Sequence, residues 1–212
     1  MSSRVAQGRD GMGHVLATIT TSLDGYVTGP DDGPGCGLGI GGERLHYWVM
    51  GGPWTYDSEH TPGAGMSGAD REYMDAITDG LGAGVCGRGM YEAAGHWGGT
   101  NPFDGTLVVL THHTEDAPDP ATGFVFVDGF EAALAAAREA AGDRGVGISG
   151  GADTIRQALR AGVVDVLAIS TAPVVLGGGK QLFEGFDQEL ELEIDRVFTS
   201  PFATHNVYRV QR

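Results

Sequence analysis

The chain has 212 residues, 41% of them hydrophobic, and a formal net charge of −15 at pH 7. That size and apolar content suit one globular domain, and no apolar run approaches the roughly 20 residues needed to cross a bilayer. An acidic surface repels phosphate backbones and anionic lipids alike, which argues against nucleic acid and membranes as partners and leaves a small molecule as the expected ligand.

Residues 1–12 carry charge but no apolar signal segment, so they read as a flexible leader to a single domain over residues 13–212, cytoplasmic by default. "HVLATITTS" (14–22) alternates and is rich in β-branched residues, which predicts a strand entering the turn "LDGYVTGPDDG". A helix over 43–50 follows, then a loop over 51–68 long enough for a lid or binding loop. Ser67 or Asp70 caps the next helix, 69–81, which ends at Gly80 or Gly82. Beyond it, apolar strands at 83–86, 105–111, 123–128, 146–149 and 164–170 alternate with helices at 88–97, 130–142 and 152–162. Strands separated by helices pair in parallel through right-handed crossovers. The last two strand-like runs, 190–199 and 203–212, have no helix between them and predict an antiparallel pair closing one edge. The expected class is therefore α/β with a mixed, mostly parallel sheet. Cys36 and Cys86 sit in unlike settings and read as free thiols.

Three strand ends carry unusual residues. In "VCGRGMYE" a strand passes through Gly87 into a helix whose first turn holds Arg88, a cation of the wrong sign for a helix start unless an anion sits there too. A solvent-facing Arg after a turn glycine accounts for the pattern equally well. "LVVLTHHTED" delivers Thr111, His112 and His113 to a strand end, where hydroxyl and imidazole donors suit a ribose phosphate, although a polar turn is the plainer reading. "VGISGGADTIRQAL" breaks a strand at Gly150-Gly151 and starts a helix at once, leaving unpaired N–H groups that can cradle phosphate. "GLGIGG" (37–42) fits G-x-G-x-x-G only loosely, follows no strand and reads as a flexible loop. The seven histidines show no metal-ligand spacing, and no G-x-S-x-G elbow is present, so no metal site is expected.

Taken together, "TITTSLDGYVTGPDD", "VCGRGMYEAAGHW", "LVVLTHH", "VGISGGADTIRQALRAGVVDVLAISTAPVVLGGGKQLF" and "ATHNVYRV" resemble the dihydrofolate-reductase-like family. The resemblance is strongest to the branch holding the C-terminal reductase domain of the bifunctional riboflavin-biosynthesis deaminase-reductase. It implies a three-layer fold with NADPH across the strand ends. Ser149, Gly150, Gly151, Ala152, Asp153 and Thr154 would face its pyrophosphate, Gly87 and Arg88 would hold phosphates, and Thr111 with His112 would lie by the adenosine 2′-phosphate. Thr21, Asp24, Gly25 and Val27 would line the nicotinamide and substrate, and Ser170 and Thr171 would face substrate. A homodimer is the assembly the resemblance implies. Gly89 and Met90 depart from the family pattern after Gly-Arg, residues 54–68 resemble an insertion, and the deaminase zinc signature is absent.

The expected reaction is hydride transfer from NADPH to a C=N or C=O carbon of a small heterocyclic substrate. Protonation of an imine needs an acid close by, for which Glu43 and Asp24 are the candidates, each also readable as a cap or turn carboxylate. Reduction of 5-amino-6-(5-phosphoribosylamino)uracil leads, with Lys180 a candidate phosphate partner. Dihydrofolate or pterin reduction, a non-catalytic NADPH- or flavin-binding module, and a metal-dependent hydrolase are the alternatives.

Overall fold

The first strand, β1 (Val15–Ser22), forms from the β-branched run and takes the middle of the sheet rather than an edge. In the computed structural model, which describes residues 13–57 and 65–211, eight strands run in the order β4-β3-β2-β5-β1-β6-β8-β7. The others are β2 (Leu81–Gly87), β3 (Thr106–Leu110), β4 (Phe124–Val127), β5 (Gly145–Ile148), β6 (Val166–Ala172), β7 (Leu192–Thr199) and β8 (Thr204–Val210). The first six are parallel, and β8 runs antiparallel to both β6 and β7. This is the mixed, mostly parallel sheet with an antiparallel edge that the element order predicts. The leader over 1–12 and the middle of the expected lid lie outside the described residues.

Residues alternate between two cores, as strand geometry requires. Val15, Ala17, Val85, Val108, Ile148 and Leu167 face one side, where α4 (Phe130–Ala141) and α5 (Ala152–Arg160) bury Ala133, Ala137, Ile155 and Ala158. Leu16, Val166 and Ala168 face the other, against Tyr73 and Ile77 of α2 (Gly68–Thr78) and Trp48 of α1 (Tyr47–Met50). On that same face Cys86, Leu107, Val109 and Phe124 pack on Tyr91 of α3 (Arg88–Ala93).

Several ends differ from expectation for local reasons. The helix predicted over 43–50 splits into a 3₁₀ turn, Gly42–His46, and the single turn α1. α2 stops at Thr78 because Gly80 takes a φ of 76°, and Leu81 already belongs to β2. α3 ends at Ala93 instead of 97, since His96 (φ 56°) and Trp97 (φ 48°) adopt the left-handed conformation. The cost of that turn is offset by stacking, with His96 on Tyr91 at 4.5 Å and Trp97 on Phe124 at 6.1 Å.

Candidate active site

Parallel strands end on one rim, and the glycines expected there converge. The Gly87 N–H at the end of β2 donates to the Gly150 carbonyl at 2.8 Å, while the Ser149 N–H donates to Val85 at 3.0 Å. A Cβ on Gly87 would lie 2.6 Å from Thr154 Oγ1, so glycine lets the end of β2 approach the start of α5 this closely. Gly150 has a φ of 118° and packs under Met90 and Ile19, and its peptide bond to Gly151 is cis. Nothing lies within 4 Å of a Cβ on Gly151, which opens directly onto the start of α5. No side chain among the described residues caps that helix, so its first N–H groups are available to an external acceptor. Ala152 and Thr154 are buried at the helix start, while Asp153 turns outward to Gln157 Nε2 (2.7 Å) and Arg156 Nη2 (3.4 Å).

A nicotinamide dinucleotide fits this rim on two observations. The space beside Gly151 would be narrowed by any side chain, and Arg88 Nη1 is a buried donor without an acceptor. The guanidinium otherwise satisfies itself internally, with Nε donating to Glu92 Oε1 (2.7 Å) and Nη2 to Asp116 Oδ2 (3.2 Å). It also lies 5.3 Å from the Phe126 ring centroid and 6.0 Å from that of Tyr91. Nearby, His112 Nδ1 meets Asp128 at 2.6 Å and His113 Nδ1 meets Glu115 at 3.2 Å. Thr111 is buried, and its hydroxyl accepts the His113 N–H at 3.0 Å, closing a turn.

On the substrate side, several of the residues that the resemblance singles out are engaged by the protein itself. Asp24 is a tie rather than an acid: its carboxylate accepts from the Ser22 hydroxyl (2.6 Å) and from the Leu176 (3.1 Å) and Gly177 (2.8 Å) N–H groups. The Ser22 bond foremost pushes its pKa down to about 2, which leaves no proton to give at neutral pH. Val27 packs into the core under α4 and α5, and Gly25 (φ 86°) makes the turn before it. Ser170 is buried and bonded to His205, so its hydroxyl faces inward. Thr21 and Thr171 lie side by side in the β1–β6 register, the first buried and the second half-buried. Glu43 is half-buried in its 3₁₀ turn, within electrostatic reach of Tyr56, and its carbonyl holds Trp54 Nε1 at 3.0 Å. Lys180 is engaged by Asp32.

A polar network beneath the rim has no counterpart in the sequence reading. Ser170 Oγ meets His205 Nδ1 at 2.7 Å, and His205 Nε2 meets Asp70 Oδ1 at 2.8 Å. Asp70 is thus not a helix cap, and Ser67, which holds the cap position, makes no side-chain cap. Tyr73 stacks on the His205 ring at 4.1 Å, and Trp48 meets it edge-on at 4.9 Å while donating Nε1–H to Thr20 Oγ1. Burial first of all lowers the His205 pKa from 6.5, so the ring is neutral at pH 7, donating to Asp70 and accepting from Ser170. A hydrolytic triad presents Nε2 to the serine and Nδ1 to the acid. Here the ring is reversed and all three residues are at most 4% exposed, so the network is structural.

Among the described residues no group of His, Cys, Asp and Glu could hold a metal, and no helix is long and apolar enough to cross a membrane. Surface concavities along α4 and α5, lined by residues such as Phe130 and Arg160, share no residue with the rim.

Comparison with solved structures supports the fold throughout. A Shewanella sp. PV-4 protein assigned to riboflavin biosynthesis is 21% identical, with 94% of this chain and 99% of that chain covered and a TM-score of 0.67. A pyrimidine reductase-like protein of Corynebacterium diphtheriae is 15% identical over 94% of this chain and 92% of that one, at 0.62. Dihydrofolate reductase of Enterococcus faecalis, complexed with NADP(H), is 16% identical over 95% and 98%, at 0.58. No curated protein matches the sequence. The family model described as the RibD C-terminal domain matches residues 13–204, almost the whole span that builds the sheet and its rim, and the chain belongs to that family.

Proposed function

We propose that the chain is an NADPH-dependent reductase of a small heterocycle, of the 5-amino-6-(5-phosphoribosylamino)uracil reductase type. The observation that carries this reading is the glycine rim, where Gly87, Gly150 and Gly151 clear a path to the uncapped start of α5. When bound, the dihydronicotinamide supplies the hydride. The chain's own work is to bind and orient: the α5 N–H groups take the pyrophosphate, Arg88 takes the adenosine 2′-phosphate at the guanidinium edge where Asp116 meets Nη2, and Thr21 and Thr171 border the reacting ring. With Asp24 tied by Ser22, Leu176 and Gly177, Glu43 is the carboxyl candidate for passing a proton to the acceptor nitrogen, directly or through an ordered water.

Titration with NADPH and NADH, followed by nicotinamide fluorescence, tests the reading. Wild type should prefer NADPH and Arg88→Ala should lose that preference; if neither nucleotide binds, the reading fails. One observation favours a second substrate. Because Asp32 already neutralises Lys180, an unphosphorylated pterin would meet less desolvation cost than a ribosyl phosphate. Turnover with dihydrofolate but not with the phosphoribosylaminouracil would decide for it, and binding without oxidation of NADPH would make the chain a nucleotide-binding module.

A further inference from the structure

We infer that Asp116 determines coenzyme selectivity, because its carboxylate competes with the adenosine 2′-phosphate for Arg88; the inference rests on the nucleotide reading above. Two carboxylates bond this one guanidinium, Glu92 from its own helix and Asp116 from the 3₁₀ turn Thr114–Asp116, and Glu115 lies within its electrostatic reach. The two direct bonds are unequal. Glu92 sits at 2.7 Å, one turn along α3, at the short end for a charge-assisted bond, whereas Asp116 at 3.2 Å is beyond the usual range. Both carboxylates are half exposed, but Asp116 reaches Arg88 from a separate turn, whereas Glu92 shares its helix. An incoming phosphate therefore displaces Asp116 and leaves Glu92 in place, while Phe126 and Tyr91 keep the guanidinium plane fixed. NADH has no phosphate at this position, so the competition acts on NADPH alone.

The test is the dissociation constant of NADPH and of NADH for wild type, Asp116→Asn, Glu92→Gln and Arg88→Ala. Asparagine keeps an oxygen for Arg88 but removes the charge, and NADPH binding should tighten about two- to fivefold, the range for a partly exposed ion pair, with NADH unchanged. Glu92→Gln, a second exposed site, should shift NADPH in the same direction and serves should Asp116→Asn fold poorly. Equal shifts for both nucleotides, no shift, or weaker NADPH binding in Asp116→Asn overturn the inference. Loss of NADPH preference nowhere in the set, Arg88→Ala included, while both nucleotides bind, also overturns it and leaves nucleotide binding standing. If wild type binds neither nucleotide, the functional reading falls and takes the inference with it.

Discussion

Replacing Asp70 by alanine should cost more than any other single polar truncation around the buried network. Among the described residues Asp70 is the only acceptor for His205 Nε2–H, at 2.8 Å and with both groups sealed from water. A charge-assisted bond of this kind contributes about 1.5–3 kcal/mol, and the donor orphaned by its loss adds a desolvation penalty, so the expected loss is about 2–4 kcal/mol. Asp70→Asn keeps an acceptor oxygen of the same shape and should lose about half as much. Urea unfolding followed by tryptophan fluorescence suits the measurement, because Trp48 lies 4.9 Å from the His205 ring. At an m-value of about 2–3 kcal/mol/M the midpoint for Asp70→Ala should fall by about 1 M. The pH dependence has a definite sign. Since the folded His205 pKa lies below 6.5, the unfolded chain binds the proton first. Stability therefore falls as pH drops below about 6.5, by up to about 1.4 kcal/mol per pH unit, until the folded pKa is reached. Asp70 raises that folded pKa, so its removal should carry the acid loss to lower pH. A change below about 0.5 kcal/mol in Asp70→Ala, or equal losses in the two variants, would refute the reasoning.

Gly87→Ala places a methyl 2.6 Å from Thr154 Oγ1 with an unstrained backbone; circular dichroism should show the fold retained at a cost of about 1–3 kcal/mol, and nucleotide binding should be lost. Asp24→Asn should speed hydrogen exchange at the Leu176 and Gly177 amides, which its carboxylate accepts. In wild type the same protection should hold at neutral pH and fade only as pH falls below 3.8 toward about 2. A disulfide reagent should modify one thiol in the native protein, the half-buried Cys36, and two in urea, since burial pushes the Cys86 thiol up to about 12.

Much of the frame was legible because its signals are local. The β-branched run at 15–22, the apolar runs at 107–110 and 166–169, and the glycine pair at 150–151 each announce their own conformation within a few residues. Element ends were less readable: "AGHW" continues a helical composition, yet Gly95 releases the chain into a left-handed turn supported by the Tyr91 ring and by the distant Phe124 ring. Chemistry followed the same division. Arg88 could be singled out from its place after Gly87, but its restraint by Asp116 joins residues 28 apart, and Asp70 finds His205 across 135. Asp24 was visible as a turn carboxylate, and the Ser22 hydroxyl that does most to hold it ionised is two residues away, whereas the Leu176 and Gly177 amides that tie it down come from a loop more than 150 residues later.

The central place of β1 has a consequence for how the chain reaches this state. Its hydrogen-bonding neighbours are β5 and β6, so Val15 to Ser22 emerge from synthesis some 120 residues before residue 145 supplies the first of them. At about 5–20 residues per second that is a wait of roughly 6–25 s, during which β2, β3 and β4 can pair with one another, although β2 still lacks β5, and β1 has no partner. Pairing so remote in sequence is slow to nucleate, and an unpaired apolar strand is an invitation to wrong contacts. The rim that gathers Thr21, Gly87 and Gly150 therefore cannot form until β5 is made and joins the beginning of the chain to β2.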